Sequence, residues 1–214
     1  CAYIRTEPSR FTGNATGVLQ WTGSRRSYRS ASATDLDWPL HQPSSAYLAN
    51  IGPLDHAATR VLAEHRDPAI LEFMALTNYR FEFALHVPDL NSITNVARLP
   101  GGVFAMVFTS GIRPYSDDTA SGPTEKFIRN YGARVHHLAL CTDAIDTTHE
   151  ALRSDGMQFL SELVGGPEQG LKQVFTVGSP HTLLVTEYIE RYGDFTGFFA
   201  QDNVARLTEA TAAQ

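Results

Sequence analysis

From Gly52 onward the 214-residue chain reads as two copies of one plan, and an internal repeat constrains a fold more than any local propensity does. Leu54-Asp55-His56-Ala57-Ala58 and Val135-His136-His137-Leu138-Ala139 are both short apolar runs with a central histidine. Each is followed by an aspartate placed to start a helix, Asp67 and Asp143. The stretches from these aspartates align without a gap, setting Ala75-Leu76 on Ala151-Leu152 and Phe81-Glu82-Phe83 on Met157-Gln158-Phe159. Each copy predicts strand, helix, strand, strand, strand. The first has strands at 53–62, 79–87, 91–98 and 103–110 and a helix over 68–77. The second has strands at 134–141, 157–163, 171–177 and 182–191 and a helix over 144–155. Turn signals such as Pro100-Gly101-Gly102 and Gly165-Gly166-Pro167 punctuate both.

The fold class expected is α+β, with paired βαβββ modules (53–111 and 131–193) forming one open, curved, mixed sheet around a pocket. A polar loop from Arg113 to Gly122 and a short helix ending near Asn130 join the modules. A final helix over Asn203 to Ala212 falls in a C-terminal segment, 194–214. Residues 1–52 read as an N-terminal segment and connector, with short strands at Tyr3-Ile4-Arg5 and Gly17-Val18-Leu19-Gln20-Trp21 and a solvated cluster of Arg25, Arg26 and Arg29. The start at Cys1 carries the expectation of a processed product or part of a longer chain.

Composition narrows the function classes. With 17 Lys+Arg against 23 Asp+Glu the net charge is −6, and the clustered basic face that binds a nucleic-acid backbone is missing. No apolar run reaches the roughly 18 residues of a membrane span. Two cysteines, Cys1 and Cys141, make no disulfide framework; a reduced, buried Cys141 and a cytoplasmic location are expected. No phosphate loop, HExxH or GxSxG occurs.

Strand alternation selects the residues that share the pocket. His56 lies on a face with Leu54 and Ala58. His137 lies with Val135, Ala139 and Cys141, while His136, Leu138 and Leu140 point to the helix. Glu187 sits within Leu183-Leu184-Val185-Thr186-Glu187-Tyr188-Ile189, where a carboxylate is costly unless paired or metal-bound. Two histidines and a carboxylate form the facial triad of non-heme Fe(II) oxygenases. Two simpler readings stay open: a one-residue shift of register makes His136 the ligand, and Glu187 could pair with Arg191.

These same residues resemble the C-terminal half of the 4-hydroxyphenylpyruvate dioxygenase family, in the vicinal oxygen chelate (glyoxalase-like) superfamily, over about 52–212. Leu54-Asp55-His56 is similar to its first-ligand strand, and Arg134 to Leu140 with Thr142-Asp143-Ala144-Ile145 to its second-ligand strand and helix. Gln173-Val174-Phe175-Thr176 resembles its substrate-contacting strand, and Glu187-Tyr188-Ile189-Glu190-Arg191 its third-ligand strand. The resemblance implies Fe(II) held by His56, His137 and Glu187, the catalytic residues. It implies substrate contacts from Gln173, Thr94, Thr109, Phe198 and Asn203, the last two near a C-terminal lid helix. The implied reaction is oxidative decarboxylation and hydroxylation of an aromatic 2-oxo acid with O2, as in aromatic amino acid catabolism, by a homo-oligomer.

The sequence departs from that family's pattern in places. Thr94 and Thr109 stand for a serine and an asparagine, Glu190 for a glutamine, and a shorter loop between Leu163 and Leu171 implies the loss of one hairpin strand. The alternatives are a hydroxymandelate synthase-like enzyme, another metal-dependent lyase, isomerase or ring-cleaving dioxygenase on the same fold, a non-catalytic binding module, and an interaction domain of a larger chain.

Overall fold

A computed structural model describes residues 43–102, 104–193, 195 and 198–213. The expected strands near Tyr3 and Gly17 and the arginine cluster lie outside the described residues. The chain divides into a unit ending at Ser44 and one from Ser45 to Gln214; the second carries everything below.

The first module is β1 (Ile51–Arg60), α1 (Arg66–Leu76), β2 (Arg80–Val87), β3 (Ser92–Arg98) and β4 (Ala105–Gly111). Helix α2 (Pro123–Tyr131) follows, opened by a proline in its first turn, where the missing N–H costs no hydrogen bond. The second module is β5 (Arg134–Thr142), α3 (Ile145–Ser154), β6 (Val164–Gly166), β7 (Leu171–Phe175) and β8 (Val185–Arg191), and α4 (Gln201–Ala210) closes the chain. All eight strands join one sheet in the order β2-β3-β4-β1-β5-β8-β7-β6. In each module the first strand pairs in parallel with the last, β1 with β4 and β5 with β8. The modules meet where β1 and β5 run antiparallel. The result is a curved, mixed half-barrel related to itself by an approximate twofold axis through the β1–β5 seam.

One face of the sheet packs under the helices. Ile145 and Leu152 of α3 meet Val174 and Tyr188, with Leu140 of β5 beside them. Ile70 of α1 meets Ala97 and Phe108 in the first module. The other face is the concave wall of a cavity.

Two expectations need correction. The strand predicted over 157–163 is not one: that stretch makes a single isolated bridge, Phe159 to Thr176. The strand forms instead at Val164–Gly166, pairing with Leu171 to Gln173. The module therefore keeps its four strands, the second of them shorter and later in the chain than expected. The reason lies in Gly165, whose φ of 89° and close approach to α4 both demand glycine. A Cβ there would stand 2.3 Å from Asn203 Nδ2 and from the Leu171 carbonyl oxygen. The Gly-Gly pair, taken as a turn, is the strand, and the turn is Pro167 to Gly170.

The second correction concerns β5. His137 pairs with Ala58 but Val135 with Thr59, so His136 is an extra residue in the ladder, a β-bulge that breaks alternation. His136 is turned to the cavity beside His137 rather than under the helix.

Candidate metal centre

The sheet register sets three side chains against one another. His56 on β1 is level with Ala139 on β5, and Ala139 is level with Glu187 on β8. Two strand spacings separate His56 from Glu187, about 10 Å between backbones. The strand between them offers only the methyl of Ala139, which is fully buried, so both long side chains can lean over it and meet. His137 enters from β5 two residues before Ala139.

The meeting is close. His56 Nε2 lies 3.1 Å and His137 Nε2 3.3 Å from Glu187 Oε2, and the two Nε2 atoms are 3.2 Å apart. His56 and Glu187 are each 1% exposed. Adjacent ligands about 2.1 Å from an octahedral cation stand about 3 Å apart, so the three atoms have the spacing of one octahedral face. Two imidazoles and a carboxylate suit iron, manganese, nickel or zinc. Among the described residues this is the one group of three such side chains with convergent ligand atoms.

A second ring of residues aims these donors. Asp55 accepts a hydrogen bond from His56 Nδ1 at 2.7 Å, so that in the neutral ring a cation would meet, the proton sits on Nδ1 and the Nε2 lone pair faces the centre. Arg191 grips Asp55 in turn, Nε to Oδ2 at 2.8 Å and Nη2 to Oδ1 at 2.9 Å. Arg191 is thus the partner of Asp55, not of Glu187. His137 Nδ1 contacts His136 Nδ1 at 2.8 Å. Gln173 Nε2 donates to Glu187 Oε1 at 2.6 Å, and Asn203 Nδ2 reaches Gln173 Oε1 at 3.4 Å.

The electrostatics follow from this packing. Burial opposes charge on His56, but the carboxylates of Glu187 and Asp55 outweigh it and raise its pKa to about 9. Burial opposes charge on Asp55 as well, yet the bonds from His56 and Arg191 hold its carboxyl below the ordinary range. His137 is lowered by burial and by the positive charge of His136 and His56. In the metal-free chain the positive charge therefore falls on His56 rather than on His137.

The centre opens into a cavity lined by residues of β1, β3, β4, β5, β7, β8, α2 and α4. Of the residues the sequence singled out, His56, His137, Glu187, Gln173, Thr94 and Thr109 line it. The Thr94 and Thr109 hydroxyls are 3.2 Å apart. Phe198 does not line it. Its ring packs 5.6 Å from that of His56 and beneath Arg191, and Phe199 takes the wall instead. Asn203 is buried behind Gln173 and is not in the lining either. Glu190 points away and accepts a hydrogen bond from the Ile145 N–H at the start of α3.

Sequence reasoning missed Asp55, Arg60, Thr124, Phe175 and Phe199, and held His136 only as an alternative ligand, whereas the group with convergent ligand atoms contains His137. For Asp55 and Arg60 the signal was present, since each is a charged side chain in an otherwise apolar strand.

No protein-family model matches the chain, and no curated protein does. Solved structures do. A triple mutant of 4-hydroxymandelate synthase from Streptomyces coelicolor superposes with a TM-score of 0.64 at 23% identity, over 77% of this chain and 54% of that one. The chain thus spans about half the length of that synthase. Methylmalonyl-CoA epimerase from Mycobacterium tuberculosis gives 0.54 at 18% identity, over 72% of this chain and 95% of that one. A hypothetical protein from Bacillus halodurans gives 0.52 at 19%, over 68% and 98%. Identities this low speak to fold: the chain has the paired-βαβββ fold of the vicinal oxygen chelate type, the fold of the synthase and the epimerase.

Proposed function

We propose that this chain is a non-heme Fe(II) dioxygenase that oxidatively decarboxylates and hydroxylates an aromatic 2-oxo acid, like 4-hydroxyphenylpyruvate dioxygenase or hydroxymandelate synthase. The observation that carries the reading is the octahedral-face spacing of His56, His137 and Glu187 in the wall of a largely apolar cavity. A bound Fe(II) supplies chelation of the 2-oxo acid and one-electron chemistry with O2. In overall balance the keto acid loses CO2, one oxygen atom completes the new carboxylate, and the other becomes the hydroxyl.

The chain's own residues supply the rest. Asp55 and Arg191 hold His56 in the tautomer that presents Nε2. Gln173 occupies one Glu187 oxygen, leaving Oε2 as the donor toward the histidines. Phe175, Phe199, Val204 and Leu207 form an apolar wall that keeps water from an oxidising centre. Val204 and Leu207 come from α4, which in this reading is the lid. The free thiol of Cys141 suits a reducing, cytoplasmic setting.

A metal-dependent lyase or isomerase is the second reading, favoured by the likeness to an epimerase. Anaerobic Fe(II) titration with 4-hydroxyphenylpyruvate separates the two. A weak visible charge-transfer band that decays with O2 uptake and CO2 release is the expected result. Iron binding with neither band nor O2 uptake, for this or other aromatic 2-oxo acids, refutes the dioxygenase.

A further inference from the structure

The cavity has a second polar end that the metal chemistry does not use. Strand β1 carries His56, Ala58 and Arg60 in alternation along the cavity face. Arg60 is level with Thr109, and Thr109 with Thr94. Between that row and the metal lies an aliphatic one, in which Ala58 is level with Val107 and Val107 with Val96. At about 3.3 Å per residue the Arg60 row lies about 13 Å along the strand from the His56 row. The cavity therefore runs from metal ligands through an apolar middle to a cationic, hydroxyl-rich end.

Arg60 at that end is unusual. It is 4% exposed, and none of the ion pairs among the described residues includes it. Its Nη2 donates to Thr211 Oγ1 at 2.8 Å, and the guanidinium stacks 4.5 Å above the Phe127 ring. Its Nη1 has no hydrogen-bond partner, nor has the buried hydroxyl of Thr124 in the same cavity wall. Burial lowers the Arg60 pKa to about 9, which leaves it charged at neutral pH. A buried cation with neither counter-ion nor full hydrogen bonding is strongly unfavourable, and a stacked, planar guanidinium is the group suited to receive a carboxylate.

We propose that Arg60, with Thr124, Thr94 and Thr109, forms an anion subsite, and that the ligand carries a carboxylate or similar anion at the end remote from the metal. This deepens the function proposed above by naming the far end of its substrate, and rests on it only for the metal-held end. The substrate class becomes a doubly anionic aromatic 2-oxo acid. The aliphatic row holds its ring, and a neutral phenol leaves Arg60 without a counter-charge.

The test uses the full chain without added metal, so it stands whether or not iron binds. Calorimetric titrations compare 4-methylbenzoate with 4-methylbenzamide, equal in shape and different in charge. The expected result is binding of the benzoate at least tenfold tighter than the amide, with the difference lost in Arg60→Met and reduced about threefold in Thr124→Val, a variant that leaves the charge in place. Equal affinity for the two probes, or no measurable binding of either, overturns the proposal. So does benzoate binding that persists in folded Arg60→Met, which places the anion at the protonated histidines instead. If Arg60→Met does not fold, the wild-type preference and the Thr124→Val loss decide alone.

Discussion

Replacing Asp55 by Asn tests whether the outer ring of the centre acts on the metal or merely fills space. Asp55 is buried, shares a 2.7 Å hydrogen bond with His56 Nδ1 and takes two bonds from Arg191. The amide matches the carboxylate in size, so packing changes little. It removes the negative charge that favours an electron-rich His56, and its NH2 group meets either the His56 N–H or an Arg191 N–H. Turning the ring to avoid the first clash moves Nε2 from the centre; avoiding the second frees Arg191, which is part-exposed and rehydrates cheaply. Losing such a carboxylate–histidine contact lowers metal affinity about 10–100-fold, or about 1.4–2.7 kcal/mol. Anaerobic Fe(II) competition against a chromophoric chelator measures it, with circular dichroism confirming the fold. Affinity within twofold of wild type in a folded Asp55→Asn variant refutes the reasoning and demotes the Asp55–Arg191 pair to a structural bridge.

Metal affinity should also depend on pH. His56 in the metal-free chain has its pKa raised to about 9, so between pH 6 and 8 it holds a proton that an incoming cation must displace. Apparent affinity should then rise about tenfold per pH unit across that range; a flat profile from the same competition assay contradicts the assignment. Val107→Phe, at a position 2% exposed in the apolar middle of the cavity, should leave metal uptake within a few-fold of wild type while abolishing 2-oxo acid binding, read by the charge-transfer band. Glu190→Ala removes the acceptor for the first N–H of α3 and should cost about 0.5–2 kcal/mol in urea unfolding, with no change in metal affinity; a change there would contradict its placement outside the centre.

What was legible in the sequence was whatever a two-residue period could carry. Glu187 stands on a regular stretch, His56 starts one that runs on to Ala58 just after a register shift at Asp55, and the two are paired through Ala139; alternation within those stretches put both on the concave face. It failed at His136, because one inserted residue reverses the facing of everything before it and nothing local in Val-His-His-Leu marks the insertion. It failed again at Gly165-Gly166, where turn chemistry and close backbone approach call for the same residue. Phe198 and Phe199 were a choice between neighbours outside any strand, with no period to decide it. The Asp55–Arg191 pair joins residues 136 apart, which no window along one sequence can see. Arg60 was visible in principle, two alternations beyond His56.

The seam between the modules has a kinetic meaning. His56 belongs to β1 and lies 81 residues from His137 on β5, while the bridge that steadies His56 closes over 136 residues to Arg191 on β8. Neither half holds three donors, so no partly folded chain with one finished module can present the complete face. The loops that must close are long, and such contacts form late in folding. A cation added during refolding therefore finds its site only after the β1–β5 ladder has zipped. It should leave the folding rate unchanged and slow unfolding, acting as a latch on the finished sheet rather than a template for it.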